Sequence, residues 1–447
     1  MSSWQHLTLP RAATYSVAMD LKRLEIARLF HRTGFGPKPG EFAAALSAGV
    51  TSTRRKVLSP PSRTSFVTPP ALTDLGPRPA PNSAAVVDFA QQLRYQNQQL
   101  FLWWLDEMVT SPHTLQEKMT WFWHGHWATS IGKVNYALPM FNQNVTFRKF
   151  ALGNFKDFAK AMFSDGALQV WLDGQENTAK APNENFSREM MELFTLGVNR
   201  YTETDVKELA RAFTGYQVSR SSGVVNFNAR RRDAGSVTVL GKSGAMSPEQ
   251  VIDHLVSQEN SALFIAERIW YRFVSSQEPL PQSHPMIKAF ADRDIYALMK
   301  SMIESSALSQ QKYSMVKSPV EWFVGLCRAL SITPSKLPSP TKLNGYLEKL
   351  SQVPFSPPNV GGWPVDQAWL SSASAQYRVS FATSIIAEAD LSELASISTV
   401  KRPAYLADLL GVVEWSTRTS YAMRSVRDNP QRLLVTAVCS PEYVVSQ

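Results

Sequence analysis

The chain has 447 residues and a formal net charge of +9, a length that allows two or three domains with large cores. Hydrophobic residues make up 44% and charged residues 19%, so the composition excludes an intrinsically disordered or fibrous protein. The two cysteines exclude a disulfide framework and cysteine-ligated zinc or iron–sulfur sites, which leaves histidine and carboxylate side chains as metal ligands.

The first part of the chain, residues 1–56, is predicted to form N-terminal helices. Residues 20–30 carry apolar side chains at helical spacing, and the glycines and prolines between 34 and 39 end that helix. A second helix is predicted over Glu41–Ala48. The N-terminus lacks the pattern of a secretory signal, and no run of about 18 apolar residues occurs, so we expect a cytoplasmic protein without a membrane span.

A proline-rich segment follows at residues 57–83. Seven prolines lie between positions 60 and 81 in a stretch rich in serine and threonine. This composition favours extended backbone over helix or strand, so the segment is predicted to be an arm or linker. The remaining residues, 84–447, are predicted to form the main helical domain.

The main domain consists of predicted helices with one β insertion. Helical patterns occur at 84–109, from 114 onward, and at 144–162, 183–196 and 204–213. Three Val-rich segments then alternate apolar and polar residues, which predicts a small β-hairpin or three-stranded excursion around 216–241. Helical patterns return from 248 onward, and no fixed repeat is visible. The expected fold is therefore mostly α, a multi-helix globular array.

The strongest candidate site combines two histidines with one charged helix. Its members are His124, His126, Glu184, Arg188, Glu189 and Glu192. Positions 184, 188 and 192 are four apart and therefore share one face of a helix. Two histidines at i and i+2 point about 200° apart on a helix, so both reach one metal ion only if Gly125 breaks the helix.

Two interpretations of this candidate site remain open. In the first, His124, His126, Glu184 and Glu192 supply the ligands of a divalent metal, iron or zinc, with an open position for water. Arg188 and Glu189 are then the candidate catalytic residues, with Arg188 orienting a carboxylate or binding a substrate anion. In the second, the charged residues form ordinary helix ion pairs and the histidines are packed core residues.

Five sequence blocks, in chain order, carry a family resemblance. They are HRTGFGPKPGEF, KMTWFWHGHW, NENFSREMMELFTLGVNRYTETDVKELARAFTGY, KSPVEWFVG and PFSPPNVGGWPVDQAWL. Together they resemble the bacterial family known as domain of unknown function 1800 (DUF1800). The resemblance implies a mostly helical protein without an established activity, often encoded beside a sulfatase-like partner, and many relatives carry export signals.

One stretch departs from the family pattern. Relatives commonly have His-Asp-x-Gly-x-Lys where this chain has residues 232–237, which read Arg-Asp-Ala-Gly-Ser-Val. If that histidine and lysine take part in a family reaction, this chain lacks the reaction or performs it differently.

Two classes of function fit the sequence. The first is a metal-dependent enzyme, an oxidoreductase or hydrolase, whose His/Glu site acts on a small or peptide substrate. The alternative is a non-catalytic scaffold that binds a partner protein through the proline-rich arm and the basic surface. The basic run Arg230–Arg232 lies outside any nucleic-acid-binding motif, so a nucleic acid partner is not expected. The run is either a solvated loop or a contact for a phosphate group or another polyanion. The turn-rich segment 357–370 is either a pocket rim or a packed structural loop.

Overall fold

The computed structural model describes residues 20–60 and 67–446. The fold is 59% helical, which confirms the expected mostly α class. None of the helices in the described ranges has the length and apolarity that a membrane span requires. The predicted elements at residues 1–19 and 61–66 lie outside the described residues.

Three helices form the N-terminal part of the described chain. They are α1 (Leu21–Arg32), α2 (Glu41–Ala48) and α3 (Val50–Val57). The Asp20 side chain accepts a hydrogen bond from the Arg23 amide and so begins α1. The sequence prediction missed α3, which Gly49 separates from α2 by a backbone turn with φ of 89°. The described part of the proline-rich arm, 67–83, contains no helix or strand.

Eight further helices precede the β insertion. They are α4 (Ala85–Thr110), α5 (Thr114–His126), α6 (Ile131–Val134), α7 (Ala137–Phe150), α8 (Phe155–Phe163), α9 (Gly166–Trp171), α10 (Glu184–Glu189) and α11 (Glu203–Ala212). A π-helical segment, Met190–Thr195, continues α10 without a break. The capping box of Thr202 and Asp205 begins α11, as the sequence indicates.

The β insertion consists of two antiparallel pairs. Strands β1 (Tyr216–Val218) and β2 (Val225–Phe227) form one pair, and β3 (Val237–Val239) and β4 (Lys242–Gly244) form the other. A third pair joins β5 (Met315–Val316) to β6 (Val445–Ser446) at the end of the described chain. The sequence prediction missed this third pair, because nothing local marks two short strands that are far apart in the chain.

Twelve more helices follow the β insertion in the described residues. They are α12 (Pro248–Ser257), α13 (Glu259–Phe273), α14 (Pro285–Ala289), α15 (Ile295–Glu304), α16 (Pro319–Ala329), α17 (Lys342–Lys349), α18 (Ser372–Ile386), α19 (Ser392–Ser396), α20 (Arg402–Leu410), α21 (Thr417–Arg424), α22 (Pro430–Val438) and α23 (Pro441–Val444). The boundaries of the three predicted chain regions, 1–56, 57–83 and 84–447, stay predictions.

Helix α5 lies between two large hydrophobic cores. Trp123 and Trp127 at its C-terminal end belong to one core, and Trp121 belongs to the other. Nearly every side chain of α5 is therefore buried. This position explains the unusual aromatic content of the helix, and it places polar side chains of α5 where the two cores meet.

A candidate cleft beside helix α5

The two histidines of α5 point into different surroundings. The helix continues through Gly125 to His126, so the break that would let both rings reach one metal ion does not occur. The His124 ring packs against Trp104 and Trp363, with ring centroids 5.1 Å and 5.3 Å away. The His126 ring instead packs against Phe122, Trp123 and the neighbouring aromatic rings of the other core.

Both histidines are buried, neutral and hydrogen-bonded to backbone. The Phe355 amide donates to His124 Nε2 at 3.1 Å, so the ring proton of neutral His124 lies on Nδ1. His126 Nε2 lies 3.0 Å from the Phe194 carbonyl oxygen and donates to it, so the proton of neutral His126 lies on Nε2. Burial lowers the pKa of each histidine to about 3. Among the described residues, neither Nδ1 atom has a hydrogen-bond partner.

These two histidines should make stability depend on pH. An unfolded histidine binds a proton near pH 6.5, whereas His124 and His126 in the fold bind one only near pH 3. The free energy of unfolding should therefore fall as the pH drops from 6.5, by up to about 1.4 kcal/mol per pH unit for each histidine. Urea unfolding at pH 7 and pH 5 should show a smaller pH effect in the variant H124Q/H126Q. The variant H254Q is the control, and an unchanged pH effect in H124Q/H126Q would contradict the assignment.

The charged side chains of α10 and of the π-helical segment that follows it lie on a partly exposed face. Arg188 pairs with Glu184 at 3.1 Å and with Glu203 at 2.6 Å, so the ordinary helix ion pair considered in the sequence is present. Glu192 accepts a hydrogen bond from the Tyr201 hydroxyl instead of pairing with Arg188. The π-helical turn that begins at Met190 explains this, because it changes the four-residue spacing on which the predicted Arg188–Glu192 pair depended.

Glu189, the second candidate catalytic residue, is half-buried. Burial, followed by the neighbouring charge of Glu192, raises its pKa. Within residues 20–60 and 67–446, no group of three or more histidine, cysteine, aspartate or glutamate side chains is arranged to hold a metal ion. The structure therefore does not assemble the predicted ligands His124, His126, Glu184 and Glu192 into one group.

Arg232, in the basic run, has a structural role in this chain. The Arg232 guanidinium donates hydrogen bonds to the carbonyl oxygens of Ala212 and Met246. Asp233 pairs with Arg211 at 2.8 Å. These bonds hold the β insertion against the end of α11, so part of the basic run is committed to internal contacts.

A small cleft of about 60 Å³, open to solvent, lies beside α5. Three of the five blocks that carry the family resemblance line it, although they are far apart in the sequence. Their cleft-lining residues are Lys118, Trp121, Phe122 and Gly125 from α5, Ser318 and Glu321 from the start of α16, and Trp363, Val365, Asp366 and Trp369 from segment 357–370. Arg272 and Phe273 at the end of α13 complete one side.

The segment 357–370 forms one wall of the cleft by close backbone packing against α5. Gly362 has a φ of 82° and touches the carbonyl of Gly125, where even a methyl side chain would overlap the oxygen. The next side chain, Trp363, stacks on Trp121 with centroids 5.0 Å apart and planes 24° apart. Arg272 Nη2 donates to the Trp363 carbonyl at 2.8 Å. The segment is thus both a packed loop and the rim of the cleft.

Asp366 lines the cleft in a strained backbone conformation. Its φ of 54° lies in the left-handed region, which costs a residue other than glycine about 1–3 kcal/mol. Three hydrogen bonds to its carboxylate hold it there, from the Val316 amide at 2.8 Å, the Ser276 hydroxyl at 2.7 Å and the Gln277 side-chain amide at 3.2 Å. These bonds connect the cleft wall to β5 and to the loop after α13.

A buried ion pair lies at the edge of the cleft. Lys118 Nζ donates to Glu321 Oε1, and the two side chains are only 6% and 21% exposed. Burial alone would raise the pKa of Glu321, but the charge and hydrogen bond of Lys118, together with the Ser318 hydrogen bonds, outweigh burial and lower it. Glu321 is therefore ionised at neutral pH.

A second lysine lies near the same carboxylate. Burial lowers the pKa of Lys317 well below its usual value, while the charge of Glu321 opposes that shift and the charge of Lys118 adds to it. The Lys317 ammonium lies 3.7 Å from the centroid of the Tyr443 ring, a contact that favours its charged form. Two buried lysines thus share one glutamate beside the cleft.

The sequence prediction missed the charged residues of this cleft. Lys118, Glu321 and Asp366 each lie inside a mostly apolar, aromatic block, and a buried charge in such a block is the signal that would have indicated them. Arg272 lies outside all five blocks and carries no such signal. The aromatic segment around Trp363 was recognised as a possible rim, without its charged partners.

The comparisons with known proteins establish the family. No curated protein and no solved structure is significantly similar to the chain. A family model described as protein of unknown function (DUF1800) matches residues 28–445. Because this match covers nearly the whole chain and includes all five blocks, the protein belongs to the DUF1800 family.

Proposed function

We propose that the protein is an enzyme whose cleft binds a small organic substrate. The observation that carries the proposal is the convergence of Lys118, Glu321 and Asp366, from three distant segments, on one aromatic-walled cleft. Charged side chains are costly to bury, and a concave apolar pocket with a few convergent polar groups is typical of a substrate site. A packed structural core would gain stability from apolar residues at these positions.

The cleft offers a surface for binding and a pair of groups for proton transfer. The stacked rings of Trp121 and Trp363 form an apolar wall against which a flat ligand can lie. Lys118, as an ammonium, can donate a proton, and the ionised carboxylate of Glu321 can accept one. The two groups hold each other in place, so a substrate that approaches this pair meets a donor and an acceptor in a partly desolvated site.

The earlier functional expectations stay predictions. A metal-dependent reaction at His124 and His126 has one supporting feature, the two Nδ1 atoms without hydrogen-bond partners in the described structure. The scaffold alternative is supported by the proline-rich arm, whose surface could bind a partner protein. Gln96 donates a hydrogen bond to Thr73 of the arm, and the Tyr136 hydroxyl donates one to the Gly76 carbonyl. A sulfatase-like partner rests on the family resemblance alone.

Tryptophan fluorescence tests the proposed substrate cleft. We expect a screen of small organic compounds to yield ligands that quench the fluorescence in a saturable manner, because Trp121 and Trp363 line the cleft. Quenching should be lost in the variant W121F/W363F, and binding measured by calorimetry should weaken in K118M. The variant W415F, which removes a tryptophan outside the cleft lining, is the control. Ligands whose affinity is unchanged in K118M would contradict the proposal.

A further inference from the structure

Two partly exposed arginines of α13, namely Arg272 in the cleft lining and Arg268 one helical turn before it, have no acidic partner among the described residues. Arg268 and Arg272 lie four residues apart on α13 and therefore on the same face of that helix. In the described part of the chain, neither forms an ion pair with a carboxylate. Like charges at this spacing repel each other, so the arrangement is unfavourable unless another group compensates it.

Arg272 reaches the cleft and binds only carbonyl groups. Its Nη2 donates to the Trp363 carbonyl at 2.8 Å, and its Nη1 lies 3.5 Å from the Pro364 carbonyl. Burial, followed by the charge of Arg268, lowers its pKa to about 10, while the nearby negative charge of Glu321 opposes that shift. These contacts hold the guanidinium against the cleft wall without neutralising its charge.

The Arg268 guanidinium makes fewer hydrogen bonds within the described structure than that of Arg272. The residue is partly exposed as a whole, but its Nε atom is buried and has no hydrogen-bond partner among the described residues. Its guanidinium lies close enough to His126 and Arg272 to lower the pKa of both. His126 is neutral and donates its proton to a carbonyl, so it provides no compensating negative charge.

Two buried arginines of this chain show the usual ways in which such a charge is held, whereas buried Arg378 leaves its Nε and Nη2 atoms without a partner among the described residues. Arg148 pairs with the buried carboxylate of Glu117. Arg293 donates to five backbone carbonyls, including those of Val256 at 2.6 Å and Gln258 at 2.9 Å. Among the described residues, Arg268 has neither a carboxylate nor a set of carbonyls, so its guanidinium charge is left to solvent or to a ligand.

We infer that Arg268 and Arg272 form the binding site for an acid group of the cleft ligand, a carboxylate, phosphate or sulfate. A guanidinium group binds such an oxyanion through two parallel hydrogen bonds. Two partly desolvated guanidinium groups attract the anion more strongly than one. This inference rests on the proposed function and narrows the substrate to small organic acids whose body lies toward Trp121 and Trp363.

Inorganic phosphate and sulfate are the probes for this site. At constant ionic strength, we expect phosphate or sulfate, but not chloride, to raise the Tm of the wild-type protein in a saturable manner. The dissociation constant measured by calorimetry should rise by at least about tenfold in R268Q and in R272Q. The control R200Q removes an exposed arginine that donates a hydrogen bond to the Asn260 side chain, and it should bind phosphate as the wild type does.

The Tm measured without ligand separates a role in ligand binding from a role in folding. Since Arg268 is an uncompensated charge, R268Q should keep or raise the Tm measured without ligand, whereas a structural role would lower it. A lower Tm in R268Q together with unchanged phosphate affinity would overturn the inference, as would the absence of any phosphate or sulfate binding. If uncharged compounds quench the tryptophan fluorescence of the cleft while these anions do not bind, the inference fails and the proposed function stands.

Discussion

Replacing Gly362 by alanine should lower the free energy of unfolding by roughly 3 kcal/mol or more. The added methyl group would overlap the backbone carbonyl of Gly125, and the φ of 82° at Gly362 is unfavourable for alanine. Neither backbone can move freely, because α5 lies between the two cores. Urea unfolding monitored by circular dichroism measures the loss of stability, and the cleft wall should separate from α5 before the rest of the fold is lost.

The neighbouring glycine provides a matched control. In the variant G361A, the closest atom to the added methyl group is the Asn359 side-chain oxygen at 3.2 Å, and that side chain can rotate away. We expect G361A to change stability by less than about 1 kcal/mol. Equal stability of the two variants would show that the close contact between Gly362 and Gly125 does not hold the cleft wall.

Removing one partner of the Lys118–Glu321 pair should be strongly destabilising. The variant K118M removes the cation that contacts the mostly buried Glu321 carboxylate and leaves only the more distant Lys317 nearby, a change that costs about 3 kcal/mol. The double variant K118M/E321M should cost less than K118M alone, because it removes the uncompensated charge. Urea unfolding of the wild type, the two single variants and the double variant gives the coupling energy of the pair.

The loss of stability caused by K118M should depend on pH. The pKa of Glu321 is lowered in the fold, so its contribution to stability is present above the unfolded pKa and is lost as the pH falls through the folded pKa. The cost of K118M should therefore shrink at acidic pH, where Glu321 becomes protonated. The variant K300M breaks the exposed pair with Glu304 and should cost less than about 0.5 kcal/mol. A constant cost of K118M from pH 7 to pH 3.5 would contradict this account.

The fold class could be predicted from the sequence because it depends on local signals. Amphipathic periods, capping boxes such as that of Thr202 and Asp205, and the Val-rich alternation after Gly215 all lie within short stretches. The pairing of β5 with β6 could not be predicted, because it joins residues about 130 positions apart through two short strands.

The candidate site was harder to predict because it is assembled by packing. The sequence correctly marks α5 as unusual, but aromatic side chains around His124 and His126 are as typical of a buried helix as of a metal site. Whether both rings can turn toward one metal ion depends on a break at Gly125, and α5 continues through Gly125 without one. The residues that do meet, Lys118, Glu321 and Arg272, come from three helices whose arrangement no local pattern records.

A crystal structure with a bound small organic acid tests the central claim most directly. The compound should be one that quenches the wild-type tryptophan fluorescence and fails to bind K118M. Our account predicts that its body lies against Trp121 and Trp363 and that its acid group lies within hydrogen-bond distance of Arg272. A compound that binds at any other surface, with the cleft beside α5 left unchanged, would contradict it.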